Sequence, residues 1–447
     1  MLSEKIAKAI EKNKADMLKT LQEVISFESV ATSSSEGIYP YGKVCADALD
    51  YMLGKAESIG LKTKNYDYHV GTADWEVNKE SFLGILCHLD VVPAISENWK
   101  SNPFKAEIRD NIIYGRGAID DKGPAVATLY ALKSIKDAGY SLRKNVRFLM
   151  GCNEENGSSD LVYYNQRDKM PPYVFTPDGS YPIIAIEKGM MRIQFRKNTD
   201  LNIMLKAGTV PNAVPALAEA VISDEIKITE TLAINLQKED GKLKISYTGK
   251  AAHASTPEEG DNAITGILQI LSEIPDCKAL SNCFPHGFTD GSGLGIACKD
   301  ETSGDLTCVC SILNIEEGSI FGVIDIRYPT CTTKEAIFEK VSEAMGQYGF
   351  KCTVDIQNNP HCVSHDSELI KVLKRVYEDE TGEQGECLAI GGGTYVHDIE
   401  GGVAFGAEFP DWDYNMHGDD ENIPVYHLMK TTKMIADAII QLCDGYF

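Results

Sequence analysis

Gly84-Ile-Leu-Cys-His-Leu-Asp-Val-Val-Pro93 decides the reading of this chain. An apolar run ends in His88-x-Asp90, the pattern of a buried strand that delivers polar side chains at its carboxyl end. Period-two geometry puts His88 and Asp90 on one side of an extended chain, so one can bind a metal while the other orients it. Alone the pair says little, because a histidine at such a place is more often a satisfied core residue. Acidic clusters follow at Asp120-Asp121, Glu154-Glu155 and Asp178, and another histidine comes late, at His417.

The segments around these clusters repeat one design. Gly115-Arg-Gly-Ala-Ile-Asp-Asp-Lys-Gly-Pro124 is a glycine-rich turn feeding a helix, with Pro124 in the first turn and Val126, Leu129, Leu132 and Ile135 as its buried stripe. Val146 to Cys152 is a short apolar strand that runs into Asn153-Glu154-Glu155, and Tyr173 to Thr176 is another that runs into Pro177-Asp178-Gly179. Helices are expected over the opening residues, with Ile10, Met17, Leu21 and Val24 at helical spacing, and from Val44 to Ile59, with a loop at Ser33-Ser-Ser-Glu-Gly37 between them. Strands alternating with helices predict a mixed, mainly parallel α/β sheet. In such sheets, sites gather beyond the carboxyl ends of the strands, where these clusters fall.

Near Gly189 the texture changes to an antiparallel α+β pattern. Leu243, Ile245 and Tyr247 share one strand face. Asp261 is a candidate cap for a helix carrying Ile264, Ile267, Leu268 and Leu271, and Thr332-Thr-Lys-Glu335 reads as a capping box. In the strand Ile320 to Tyr328, Val323, Asp325 and Arg327 share a face. From a helix near Asp366 the α/β character returns. The parse is a catalytic domain in two parts, 1–189 and 363–447, with an α+β domain inserted at 190–362.

The 447 residues exceed one ordinary core, in keeping with two domains. A formal net charge of -23 repels phosphate backbones and anionic membranes, so neither nucleic acid nor a membrane is an expected partner. The amino terminus has no apolar leader-like run, and the 13 cysteines lack CxxC pairs, so reduced thiols and a cytoplasmic location are expected.

Two histidines with four or five carboxylates suit zinc, and also manganese or cobalt, better than metals that prefer thiolates. Two ions sharing a carboxylate, about 3.5–4 Å apart, clamp both oxygens of a hydrolytic reaction. Adjacent residues such as Glu154 and Glu155 point in different directions, so one can coordinate while the other moves a proton. A thiol nucleophile at Cys87 and a non-catalytic binding protein on a hydrolase scaffold are the competing readings.

His88-Leu-Asp90-Val-Val-Pro93, Gly117-Ala-Ile-Asp-Asp-Lys-Gly-Pro124, Asn153-Glu-Glu-Asn-Gly157 and Thr176-Pro-Asp-Gly179, with His417, resemble the aminoacylase/carnosinase family of two-metal peptidases over essentially the whole chain. Gly391-Gly-Gly-Thr394 and Gly402-Val-Ala-Phe-Gly406 make the likeness greatest to bacterial PepV-type dipeptidases. The resemblance implies that His88 and Asp178 hold one metal, that Glu155 and His417 hold the other, and that Asp120 bridges them. It implies that Asp90 orients His88, that Glu154 is the general base, and that the Asp120–Asp121 peptide is cis. The inserted domain is similar to that family's lid. There His253 matches an oxyanion-stabilising histidine and Asn212 a residue completing the site. Arg327 can hold a substrate carboxylate bidentately, and Gly391, Gly392, Gly393 and Thr394 can offer N–H groups to it. The long lid resembles the arrangement in which one chain supplies every residue, so a complete monomer is expected. The expected activity is hydrolysis of short peptides with a free carboxyl terminus, some with a β-alanyl or other unusual amino-terminal residue. Deacylation of N-acetyl or N-succinyl amino acids is the alternative.

Overall fold

The computed structural model describes residues 4–32, 37–78, 80–226, 228, 234–316 and 318–444. The expected loop at Ser33 to Glu36 lies outside them. The chain divides into two compact units, one of residues 1–185, 363–388 and 394–447, the other of residues 186–362 and 389–393. Residues 389–393 therefore cluster with the inserted stretch and not with the flanking carboxyl-terminal part.

The first unit is built on a mixed sheet. Its strand order is Lys62–Tyr66, Val70–Trp75, Val146–Gly151, Leu83–His88, Tyr173–Thr176, Val403–Ala404 and Ile183–Glu187. The centre is parallel: Leu83–His88 lies between Val146–Gly151 and Tyr173–Thr176, both running its way. Val403–Ala404 continues the parallel run beside Tyr173–Thr176, and the outer pairs are antiparallel. Leu83, Ile85, Leu86 and Cys87 are fully buried, as the unbroken apolar run requires of a strand covered on both faces. Each such aliphatic side chain contributes about 1.5–3 kcal/mol.

The helix Lys122–Asp137 packs against this strand and against the helices Glu4–Ile25 and Val425–Asp444. Every residue from Lys122 to Leu132 is buried. A helix enclosed on all sides cannot slide, so its amino-terminal end is fixed beside the end of the His88 strand. The helix expected from Val44 to Ile59 spans Lys43–Ser58.

The second unit holds an eight-stranded sheet, antiparallel throughout. Its order is Ile234–Glu239, Lys242–Thr248, Leu217–Ser223, Met204–Ala207, Thr307–Glu316, Ser319–Tyr328, Gly189–Asn198 and Lys351–Asn358. Alternate side chains such as Met191, Ile193 and Phe195 enter a core shared with the helices Ala263–Ile270, Pro275–Cys283 and Lys334–Gly346. Two caps differ from expectation by one residue. Asn262, not Asp261, accepts from Ile264 and Thr265, and Thr333, not Thr332, accepts from Ala336. Neighbouring polar residues are equally able to cap, and the extended backbone at Asn262 and Thr333 selects them. Among the described residues, no helix is long and apolar enough to cross a membrane.

Candidate metal centre

Three parallel strand ends and two loops of the first unit converge on one cluster. His88 closes its strand, and its backbone N–H donates to Asp121 Oδ2 at 2.9 Å. Its ring Nδ1 lies 2.9 Å from the main-chain oxygen of Asp90. A carbonyl only accepts, so Nδ1 carries a proton and, in the neutral ring, Nε2 keeps its lone pair, the tautomer that binds a metal. Nε2 faces Asp120 Oδ1 at 2.8 Å and Asp178 Oδ2 at 3.7 Å.

Asp120 turns its other oxygen, Oδ2, to His417 Nε2 at 2.7 Å, and Glu155 Oε1 lies 3.3 Å from the same nitrogen. One carboxylate therefore presents one oxygen to each imidazole. Ligand atoms of His88, Asp120 and Glu155 all lie within 4.8 Å of one another, as do those of His88, Glu154 and Asp178. The Asp120–Asp121 peptide is cis, and His417 has a left-handed backbone with φ 59°.

The donor set fits divalent cations. His88 Nε2 and Glu155 Oε1 are buried and make no hydrogen bond, so the short approach of Nε2 to Asp120 lacks hydrogen-bond geometry. Such atoms converge on a common point instead of satisfying each other. Four carboxyl groups crowd two imidazoles, and the protonation preferences show the imbalance. Burial and then the charge of Asp120 push Asp178 well up, and burial takes Glu154 to about 8. The carboxylates of Asp120 and then Glu155, which face its Nε2, lift His417 to about 11. Burial disfavours a charged His88, yet Asp120 and Asp90 outweigh it and hold the imidazolium well above its usual range. Cations placed among these groups would replace the protons.

The turn carrying both glutamates hangs on two buried carboxylates. Asp160 Oδ2 accepts from the N–H groups of Cys152 and Asn153 at 2.7 and 2.9 Å. Asp90 accepts from those of Glu154 and Glu155, through Oδ1 and Oδ2, each at 3.1 Å. The Asp90 carboxylate thus serves chiefly the glutamate turn. Its Oδ1 stands 3.5 Å from His88 Nδ1, which bonds the Asp90 main chain instead. Tyr395 donates to Asp160 Oδ2 at 2.6 Å, and its ring meets His88 edge-on. Any Cβ at position 151 would fall 1.6 Å from the Tyr395 hydroxyl, so only glycine admits this arrangement. Asp160 and Tyr395 escaped the sequence reading: an acid in the first turn of a helix looks like an ordinary partner of the helix dipole.

Cys87 is placed unlike a thiol nucleophile. It is fully buried, and burial followed by the Asp121 charge pushes its thiol well above the usual range. Of the histidines outside the cluster, His427 lies beside the Tyr414 hydroxyl and His69 stacks on Tyr163.

The other expected residues, apart from Thr394, lie in the second unit. Arg327 is 6% exposed and donates from Nε to Asp325 Oδ1 at 2.6 Å, from Nη2 to Asp325 Oδ2 at 3.3 Å, and from Nη1 to the Gly391 oxygen at 2.9 Å. Its cross-strand partner Thr307 donates to the Ala254 oxygen, and the Ala254 N–H donates to the Asn212 oxygen. His253 pairs with Ala213 across a short antiparallel ladder, and its Nδ1 lies 2.6 Å from Ser255 Oγ. Gly391 packs so closely on Ser255 that a Cβ would stand 2.6 Å from its Cβ, whereas Gly392 faces open space. This unit so gathers Asn212, His253, Arg327 and the segment Gly391 to Gly393. Thr394 belongs to the first unit, where its Cγ2 approaches Gly179, next to Asp178.

Comparison with known proteins agrees with this geometry. Residues 84–441 match the model of peptidase family M20/M25/M40. The chain is 35% identical to a Bacillus subtilis protein named "Putative dipeptidase YtjP", over 96% of this chain and 98% of that one. It is 32% identical to the Beta-Ala-Xaa dipeptidase of Lactobacillus delbrueckii subsp. lactis, over 97% of each. The solved structure of human carnosine dipeptidase 1 shares the fold, with TM-score 0.62 at 14% identity, covering 99% of this chain and 98% of that one. On the strength of the matched span and these relatives, the chain belongs to peptidase family M20/M25/M40 and is a peptide-bond hydrolase.

Proposed function

We propose that this chain is a two-metal dipeptidase that cleaves short peptides ending in a free carboxylate, β-alanyl dipeptides among them. The observation that carries the reading is Asp120, whose two oxygens face two different imidazoles while Glu154 stands beside them. His88 and Asp178 would hold one ion, Glu155 and His417 the other, with Asp120 between. Zn2+ suits this donor set best, and Mn2+ or Co2+ also suits it. When bound, the pair of cations supplies Lewis acidity that polarises the scissile carbonyl and lowers the pKa of a water molecule.

The protein's own groups do the rest. Glu154 takes a proton from the attacking water as the water oxygen bonds to the carbonyl carbon. It then delivers that proton to the departing nitrogen as the C–N bond breaks, leaving an acid and an amine. A carboxylate among apolar and anionic neighbours is a stronger base than one in water, and burial is the main cause of its raised pKa. His253 would donate to the developing oxyanion. Arg327 has three of its N–H groups engaged by Asp325 and Gly391. The other two of a guanidinium's five would take the substrate carboxylate, with Asn212, Gly392, Gly393 and Thr394 around it. One chain carries every residue in this scheme, so we assign it a catalytically complete monomer. All 13 cysteines are free thiols, which supports a place in the reducing cytoplasm.

The test is a substrate panel assayed with zinc, manganese and cobalt. β-Ala-His and α-dipeptides should be hydrolysed, whereas N-acetyl and N-succinyl amino acids should not. Turnover confined to the acylated compounds would reverse the assignment.

A further inference from the structure

Arg116 and Glu421 form an ion pair sealed inside the first unit, 2% and 0% exposed. Arg116 Nη1 donates to Glu421 Oε2 at 2.6 Å. Glu421 Oε1 accepts from the backbone N–H groups of Ile119 and Asp120 at 3.0 and 3.3 Å. Its main-chain oxygen accepts from Gly115 at 2.9 Å. Arg116 Nη2 reaches the main-chain oxygens of His417 at 3.3 Å and Pro93 at 3.4 Å.

Three segments meet on this pair: the exit from the His88 strand, the turn ending in Asp120, and the loop that begins with His417. A buried ion pair is a poor source of stability. Removing both charges from water costs about what their attraction returns, and well-packed apolar replacements are often neutral or better. What an apolar pair could not supply is the directed bonding of four main-chain groups on three ligand-bearing segments. The planar guanidinium spans the Glu421 carboxylate and two carbonyls at once, which a lysine ammonium cannot do from one position.

We propose that the Arg116–Glu421 pair is a positioning element of the metal centre. It fixes the Asp120 backbone against the His417 loop, so that the Asp120 carboxylate divides its oxygens between the two imidazoles. Neither Arg116 nor Glu421 is among the side chains whose ligand atoms converge in the cluster. The inference rests on the reading of the cluster as a metal site.

The test compares wild type with Arg116→Lys, Glu421→Gln and the apolar double variant Arg116→Met/Glu421→Leu. Zn2+ affinity is measured by competition with a chromogenic chelator. The visible spectrum of the Co2+-loaded protein and the melting temperature of the metal-free protein are recorded in parallel. Arg116→Lys keeps the charge pair but loses the second arm; Glu421→Gln keeps an acceptor for Ile119 and Asp120. Without metal, Arg116→Lys should melt near wild type, whereas Glu421→Gln leaves Arg116 a buried unpaired charge and should melt lower; both should bind Zn2+ about 10–100-fold more weakly and show an altered Co2+ spectrum. The double variant should lose affinity at least as much; it leaves no unpaired charge but strands the Ile119 and Asp120 N–H groups, so it should melt lower than wild type. Wild-type affinity and spectrum in the two single variants would overturn the proposal. So would an affinity that falls only in step with the melting temperature, because the pair would then be structural alone. Wild type that takes up no Zn2+ or Co2+ would overturn the metal-site reading itself, and the inference with it.

Discussion

Asp90→Asn tests how the glutamate turn is held. The wild-type carboxylate is fully buried and accepts two backbone N–H groups, those of Glu154 and Glu155, one on each oxygen at 3.1 Å. Asparagine has the same shape but one acceptor, so its amide NH2 must face one of those donors. The change removes one charge-assisted hydrogen bond, about 1.5–3 kcal/mol, and strands a buried N–H at a further cost of about 1–3 kcal/mol. Together that is about 2.5–6 kcal/mol of local destabilisation, concentrated where one glutamate is the assigned base and the next an assigned ligand. Because His88 Nδ1 bonds the Asp90 main chain, the histidine should stay in place. The expected result is faster amide exchange across residues 152–155, a lower kcat, and Zn2+ affinity down about 10–100-fold. Hydrogen exchange by mass spectrometry, kinetics and a zinc titration read these three effects. Unchanged exchange in the turn together with wild-type kcat would refute the reasoning.

Three further outcomes are expected. Glu154→Gln should lower kcat about 10²–10⁴-fold with two metal equivalents still bound; loss of metal instead would make Glu154 a ligand and not the base. Metal uptake should release protons, because His417 in the metal-free protein stays protonated up to about pH 11 and a ligating imidazole must be neutral. His417 has a raised pKa, so its proton opposes binding below that value, and apparent affinity should rise with pH about tenfold per unit for each proton released. Calorimetry in buffers of different ionisation enthalpy measures this, and a heat independent of buffer would contradict it. Arg327→Ala should raise KM steeply for dipeptides with a free carboxylate and little for their amides. Equal effects on both would remove Arg327 from substrate recognition, although Asp325, fully buried and left with only Arg192 at 3.6 Å, should also lower stability.

The legible parts were those with short-range signals. Apolar runs punctuated by His88, Glu154-Glu155 and Asp178 marked strand ends, and the parallel order of those strands puts their carboxyl ends on one side of the sheet. Details set by a single backbone dihedral were less legible, as the displacement from Asp261 to Asn262 at one helix start shows. The partners of Asp90 could not be read from period-two geometry, because the regular strand stops at His88 and Asp90 lies beyond it. Asp160, Tyr395, Arg116 and Glu421 carried no local signal. Tyr395 and Asp160 stand 235 residues apart, Arg116 and Glu421 305, and only the folded chain brings each pair together.

The most direct measurement is the metal content of the purified protein after dialysis against Zn2+, with anomalous diffraction to locate the ions. Two equivalents are predicted, one beside His88 and Asp178 and one beside Glu155 and His417, with Asp120 between them. No bound metal, or ions held elsewhere with these side chains uncoordinated, would contradict the account.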